Sequence, residues 1–190
     1  MSFRKYHPAD LQQCLEIYEL NRPGRFPDKM EPSYARVLED QTSYTLVAER
    51  DGRIVATGGI EYWGRKNLST LSFGLVHPAF QGKGIGAALV LSRLALLNTY
   101  APIHHVFIFA VRKSFGYYWR FGFRPFNPWK DEDGNEHPSG LLVVLQRDVL
   151  NCRKLLAAHQ ISFPPGEDNV PLQEHATKPT SQTASPRRTL

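Results

Sequence analysis

The stretch from Leu71 to Leu97, LSFGLVHPAFQGKGIGAALVLSRLALL, limits the possible folds more than any other part of the chain. A strand ends at Val76-His77-Pro78, and Gln81-Gly82-Lys83-Gly84-Ile85-Gly86-Ala87 then opens a long apolar helix. Glycines at 82, 84 and 86 let the backbone turn sharply and come close to a ligand. The N–H groups at the start of the helix point outward, and with the helix dipole they suit a phosphate or pyrophosphate. Lys83 adds a positive charge between the glycines. The plain alternative is a loop that needs glycine only for its geometry.

Two phosphate-binding patterns fit poorly. A nucleoside-triphosphate loop needs G-x-x-x-x-G-K-[ST], but Lys83 is followed by Gly84, so no hydroxyl is placed for magnesium. A dinucleotide fingerprint is met loosely by Gly82, Gly84 and Ala87. Its acidic partner about 20 residues on is missing: position 106 is Val, and the next acid after the loop is Asp131. A nicotinamide-dependent oxidoreductase therefore rests on the glycines alone.

The surrounding chain alternates strands and helices. Strands are expected at 3–6, 44–50, 53–63, 68–76, 105–111, 123–126 and 141–146, and helices at 9–20, 31–40, 84–100, 114–121 and 148–159. Asp51-Gly52 is a strong hairpin signal, and Gly122 suits a helix stop. The run His105–Val111 reads as a strand buried on both faces. This order implies a mixed sheet with helices on its faces.

Composition bounds the rest. The chain has 190 residues, 42% hydrophobic and 22% charged, which is ordinary for a globular protein. It can bury a core without disulfides or a structural metal. Cys14 and Cys152 lie far apart, with no metal-ligand spacing, so no metal is expected. The first residues, MSFRKYHPAD, do not read as a secretory signal. No stretch approaches the ~18 apolar residues of a membrane span, so a cytoplasmic location and no membrane partner are expected. The net charge of +5 comes without a dense Lys/Arg block, so no nucleic-acid partner is expected. From Ser162 to Leu190 there are five prolines and seven Ser/Thr, with Phe163 the one aromatic residue. Such a segment cannot offset its ordering entropy. The expected organisation is a working domain over 1–161 and a disordered tail over 162–190.

With these residues in view, the chain resembles the GCN5-related N-acetyltransferase (GNAT) superfamily. Gln81, Gly84 and Gly86 match its Q/R-x-x-G-x-G/A loop, and Val76-His77-Pro78 matches the preceding V-x-P. A second segment, Tyr118-Trp119-Arg120-Phe121-Gly122-Phe123, matches the aromatic helix ending in Gly-Phe, with a Tyr four residues before the Gly. The resemblance implies an α/β (α+β) fold: a mixed, mostly antiparallel central sheet with helices on both faces and a splayed parallel strand pair that binds acetyl-CoA. It implies transfer of acetyl from acetyl-CoA to a primary amine in a ternary complex, by a monomer or homodimer. A non-catalytic acyl-CoA-binding module of the same fold is the alternative.

The resemblance also distributes roles. Pantetheine would pair with backbone around Leu75 and Val76, and pyrophosphate would sit on the N–H groups of Gly82 through Ala87. The N–H of Gly74 would polarise the thioester carbonyl, and Tyr118 would protonate the leaving thiolate. Tyr118 equally suits aromatic packing beside Tyr117 and Phe121. The family's base position, eleven before Gln81, is Thr70. Glu61 on the preceding strand is the nearest acidic substitute, and His77, His104 and His105 are further candidates. An Asn that contacts the cofactor in many members is replaced by Val111, with Ser114 a substitute nearby. Arg22, Arg25, Tyr62, Trp63 and Trp129 could line an acceptor pocket or serve only as surface and packing residues.

Overall fold

The structure is a computed structural model that describes residues 2–23, 31–40, 43–63, 68–97, 105–126 and 139–145. Its strands are β1 (Ser2–Lys5), β2 (Ser43–Arg50), β3 (Arg53–Trp63), β4 (Leu68–Val76), β5 (His105–Val111), β6 (Arg124–Pro125) and β7 (Ser139–Leu145). They form one sheet in the order β1-β2-β3-β4-β5-β7-β6. Every pairing is antiparallel except β4 with β5. Asp51 and Gly52 join β2 to β3 with φ of 52° and 73°, the doubly positive backbone that matches the twist of a hairpin.

Helices cover both faces of the sheet. On one lie α1 (Leu11–Asn21) and α2 (Glu31–Glu39); on the other lie α3 (Ile85–Leu97) and α4 (Phe115–Trp119). The predicted element order holds, with small shifts at the ends. The helix expected at 9–20 starts with a 3-10 turn, Pro8–Asp10, in which the Asp10 carboxylate accepts from His7 N at 2.8 Å. The helix expected at 114–121 likewise begins with a 3-10 turn, Arg112–Ser114. The helix expected at 148–159, the 161/162 boundary and the tail lie outside the described residues, as do Arg25, His104 and Trp129.

One expectation fails. β5 is buried on one face only: Val106, Ile108 and Ala110 are buried, whereas Phe109 is 58% exposed. The apolar composition of HVFIFAV hides this alternation, because an exposed Phe and a buried Phe look alike in sequence.

Candidate active site

β4 and β5 run side by side from Leu68↔His105 to Leu71↔Ile108, and their pairing stops there. β4 continues to Val76 and β5 to Val111. The two strands thus part over their C-terminal halves, and β4 beyond Leu71 has no paired strand on its β5 side. Open α/β sheets bind ligands at the carboxyl ends of diverging parallel strands, where backbone donors and acceptors are free.

A bulge shapes that edge. Thr57 pairs with Leu75, but the next pair down is Gly59 with Ser72, so Phe73 and Gly74 together face Gly58. Two residues against one is a β-bulge, which bends the strand and re-aims its side chains. Phe73 adopts φ 42°, a left-handed conformation that costs a non-glycine residue on the order of 1–3 kcal/mol and gathers at functional sites. Packing holds it there: its ring lies 5.0 Å from Tyr34 and 6.5 Å from Tyr18. Gly74 is exposed to the opening between the strands.

The glycine loop follows at the end of β4. Gly82 and Gly84 have φ of 73° and 79°, and a Cβ on either would meet nothing within 4 Å. Backbone conformation, not space, therefore requires glycine at both. Ala88 N donates to Gly84 O at 3.0 Å, so Ile85, Gly86 and Ala87 belong to the first turn, whose N–H groups have no acceptor in their own helix. Gly86 has a different reason. A Cβ there would stand 3.0 Å from the Tyr117 hydroxyl and 3.6 Å from Val76 Cγ2. Tyr117 thus closes α4 against the start of α3, and burial pushes its phenol up to about 12.

Other side chains of the loop turn inward. Gln81 Nε2 donates to Val76 O at 3.0 Å and to Asn21 Oδ1 at 3.1 Å, while Asn21 Nδ2 donates to Val76 O at 3.0 Å. Two amides therefore cap the carbonyl at the end of β4 and tie the last residue of α1 to the loop. The Lys83 ammonium donates to Ala79 O at 3.0 Å and lies 5.2 Å from the Phe80 ring centre. The Ser114 hydroxyl donates to Val111 O at 2.7 Å.

The catalytic candidates fall on two faces. Tyr118, on α4, packs edge-on against Tyr117 and Phe123 and joins the α3-side core. Glu61 lies directly across from Thr70 on the adjacent strand. Directly opposed residues hold their Cβ atoms roughly 4.5–5.5 Å apart, so the Glu61 side chain starts beside Thr70, the position where some members of the family resembled carry a Glu. His77 is taken by the turn that follows β4, where its Nδ1 accepts from Ala79 N at 3.2 Å. His105 stacks on Phe107 at the start of β5, at the paired end of the strand rather than the parted one.

The sequence pattern did not point to Asn21, Phe73 or Arg93. Arg93 lies in the middle of α3 and is 1% exposed. Its hydrogen-bond acceptors are the carbonyls of Leu89 (3.3 Å from Nε), Gly59 and Ser72 (3.3 and 3.2 Å from Nη1). Burial pushes the guanidinium down to about 10, with Tyr118 and Tyr117 acting the other way, so it stays charged at neutral pH. The one available signal was a cation interrupting the apolar run ALVLSRLALL.

A mixed sheet parted beneath a glycine loop and an apolar helix agrees with the fold that the family resemblance implies. A family model described as "Acetyltransferase (GNAT) domain" matches residues 14–138, and the chain belongs to that family. Solved structures share the fold at low identity. The ribosomal-protein-S18-alanine N-acetyltransferase from Escherichia coli is 17% identical, with a TM-score of 0.61 over 76% of this chain and 92% of its own. The PaiA N-acetyltransferase from Thermoplasma acidophilum, solved in complex with coenzyme A, is 15% identical, with a TM-score of 0.60 over 76% and 98%. A spermidine N-acetyltransferase mutant from Vibrio cholerae is 17% identical, with a TM-score of 0.62 over 80% and 98%. No curated protein matches the sequence. No helix among the described residues is long and apolar enough to cross a membrane.

Proposed function

We propose that the chain transfers the acetyl group of acetyl-CoA to a primary amine by direct attack within a ternary complex. The parting of β4 from β5 past Leu71 and Ile108, in line with the glycine loop, carries this reading. It leaves a slot whose far end meets an anion-binding helix start, which suits a pantetheine chain that ends in a pyrophosphate. The solved Thermoplasma relative holds coenzyme A.

In this scheme the N–H groups of Gly82, Lys83, Gly84, Ile85, Gly86 and Ala87 receive the pyrophosphate. The N–H of Val76 pairs with pantetheine; Leu75, also expected there, turns its backbone to Thr57 on β3, and the Val76 carbonyl is already held by Asn21 and Gln81. The Gly74 N–H donates to the thioester oxygen as negative charge builds on it, a role often worth about 3 kcal/mol of barrier. The amine nitrogen attacks the carbonyl carbon, the carbon–sulfur bond breaks, and Tyr118 gives its proton to the departing thiolate. Glu61, reached through a water, accepts the proton that the amine loses. Ser114 and Lys83 stay at the rim of the cofactor site, since both already hold backbone carbonyls.

Thermal melting of the full chain with acetyl-CoA, NADH and ATP tests the site, and free CoA release across an amine panel tests the chemistry. Acetyl-CoA should raise Tm while NADH and ATP should not, and at least one amine should release CoA. No shift with any CoA species would remove the cofactor assignment. Binding without turnover would favour a non-catalytic acyl-CoA-binding module, in line with Thr70 at the family's base position.

A further inference from the structure

Arg93 is the feature that packing does not explain. It projects from the helix that opens with the glycine loop and is surrounded by apolar residues of the α3-side core. Its described hydrogen bonds all go to backbone carbonyls. A leucine or methionine would fill such a place without desolvating a charge.

The position of the guanidinium is specific. Nη1 bridges Gly59 O and Ser72 O, which belong to the last regular pair before the bulge. Where two residues oppose one, the ladder is locally disrupted, and buried carbonyls there need another donor. The head of the side chain lies against two glycines. A Cβ on Gly58 would stand 3.0 Å from Cζ, and one on Gly74 would stand 2.8 Å from Nη2. Both strands of the bulge thus leave room for this one cation. The charge is also felt at the phenols of Tyr117 and Tyr118 on α4.

We propose that Arg93 is a positioning residue for acyl transfer: it clamps the carbonyls of Gly59 and Ser72, which fixes the bulge so that the Gly74 N–H meets the acyl carbonyl, and it leaves a fixed positive charge behind the atoms where negative charge develops. The catalytic half of this rests on the acetyl-transfer reading above; the clamp does not. Arginine suits both tasks, because one planar group reaches two strands at once and keeps its charge. Lysine keeps the charge, but its chain ends one atom short of Nη1, the nitrogen that holds both carbonyls.

The test uses the full chain with Arg93→Met and Arg93→Lys, read in two ways. In CoA release with acetyl-CoA and the best amine of the panel, Arg93→Met should lower kcat at least 100-fold with KM for acetyl-CoA within threefold. Arg93→Lys should recover at least tenfold of that loss. Without any ligand, amide exchange in the segment Ser72–Leu75 should quicken at least tenfold in Arg93→Met, with β1 and β2 unchanged. A kcat within threefold of the parent, or a kcat loss matched by equal losses in acetyl-CoA affinity and Tm with no recovery in lysine, overturns the catalytic half. Unchanged exchange at 72–75 overturns the clamp. If Arg93→Met does not fold, Arg93→Lys decides: the clamp requires quicker exchange at 72–75 in that variant too, and parental kcat together with parental exchange overturns the proposal. If the parent binds acetyl-CoA but no amine releases CoA, the transfer reading fails, and exchange at 72–75 decides the clamp by itself.

Discussion

The two faces of the sheet are built from different materials. The α3 face is mostly aliphatic where the helix meets the sheet, with Leu89, Leu94, Ile60 and Val106 all nearly inaccessible, and its buried aromatics are Phe3, Tyr44 and Phe123. The α1–α2 face carries Cys14, Tyr18 and Tyr34, equally buried but bearing a thiol and hydroxyls. On the second face Tyr18 and Tyr34 stack at 5.2 Å, and the Tyr34 hydroxyl lies 3.3 Å from Thr57 Oγ1. The faces meet at the β4 bulge, where Phe73 belongs to the aromatic side and Gly74 opens toward Arg93. The difference teaches a division of labour. The aliphatic face fixes the helix that would hold the cofactor, and the aromatic face holds a strained residue beside the proposed site of transfer.

The largest effect expected is on chemistry at the α3 side. Tyr118→Phe should slow the acyl-transfer step by ~10²–10⁴, with acetyl-CoA binding nearly unchanged. An unaltered rate in a folded variant would return Tyr118 to packing alone. Next comes a substitution in the aliphatic face. Leu94 is fully buried, so Leu94→Ala should cost about 2–5 kcal/mol of stability by denaturant titration. Its counterpart on the aromatic face is gentler: Tyr34→Phe removes one hydroxyl and should cost about 0.5–1.5 kcal/mol. Equal losses from the two would break the distinction between an aliphatic and a hydroxyl-bearing core.

Alkaline pH sharpens the same comparison. Burial pushes the Cys14 thiol from 9.0 up to about 11, and pushes the Tyr34 phenol well above its ordinary value. A folded-state pKa above the unfolded one means stability that is fully present below about pH 9 and is lost as pH rises toward 11. Arg93, pushed down to about 10, runs the other way above that pH. The fall in Tm between pH 9 and 11 should therefore be shallower in Cys14→Ala than in the parent, and identical slopes would refute the contribution. The smallest effect lies at acid pH. The Arg4 guanidinium, 2.7 Å from the Asp10 carboxylate, holds that carboxyl below its ordinary value. Its contribution is present above about pH 4 and is lost as pH falls further. Asp10→Asn should remove a small part of the Tm decline below pH 4, while a decline equal to the parent's would leave the pair without effect.

Much of this arrangement was legible in the sequence. The hairpin at Asp51-Gly52 and the loop at Gly82 and Gly84 were readable because positive φ leaves a residue signature, Gly or Asp, at the position itself. The family resemblance pointed to Tyr118 and Gly74 as candidates, and their roles are part of the proposal above. The bulge was not readable, because strand register is decided by both partners and Phe73 carries no mark of its φ. Nor was the role of Arg93. A cation within an apolar helix is visible, but what it reaches depends on glycines 19 and 35 positions earlier, brought beneath it only by the sheet. Asn21 was hidden for a similar reason: its partners Val76 and Gln81 lie 55 and 60 residues away.

The interlock of Arg93 with Gly58 and Gly74 gives the chain's mutational history a direction. While the arginine holds its carbonyls, alanine at either glycine must push the guanidinium away from them. Once position 93 shortens, both positions open. An arginine can likewise enter only where both glycines already stand. Related sequences should therefore change these three positions together or not at all, and a lineage that has replaced Gly58 or Gly74 should be found to have surrendered the arginine first.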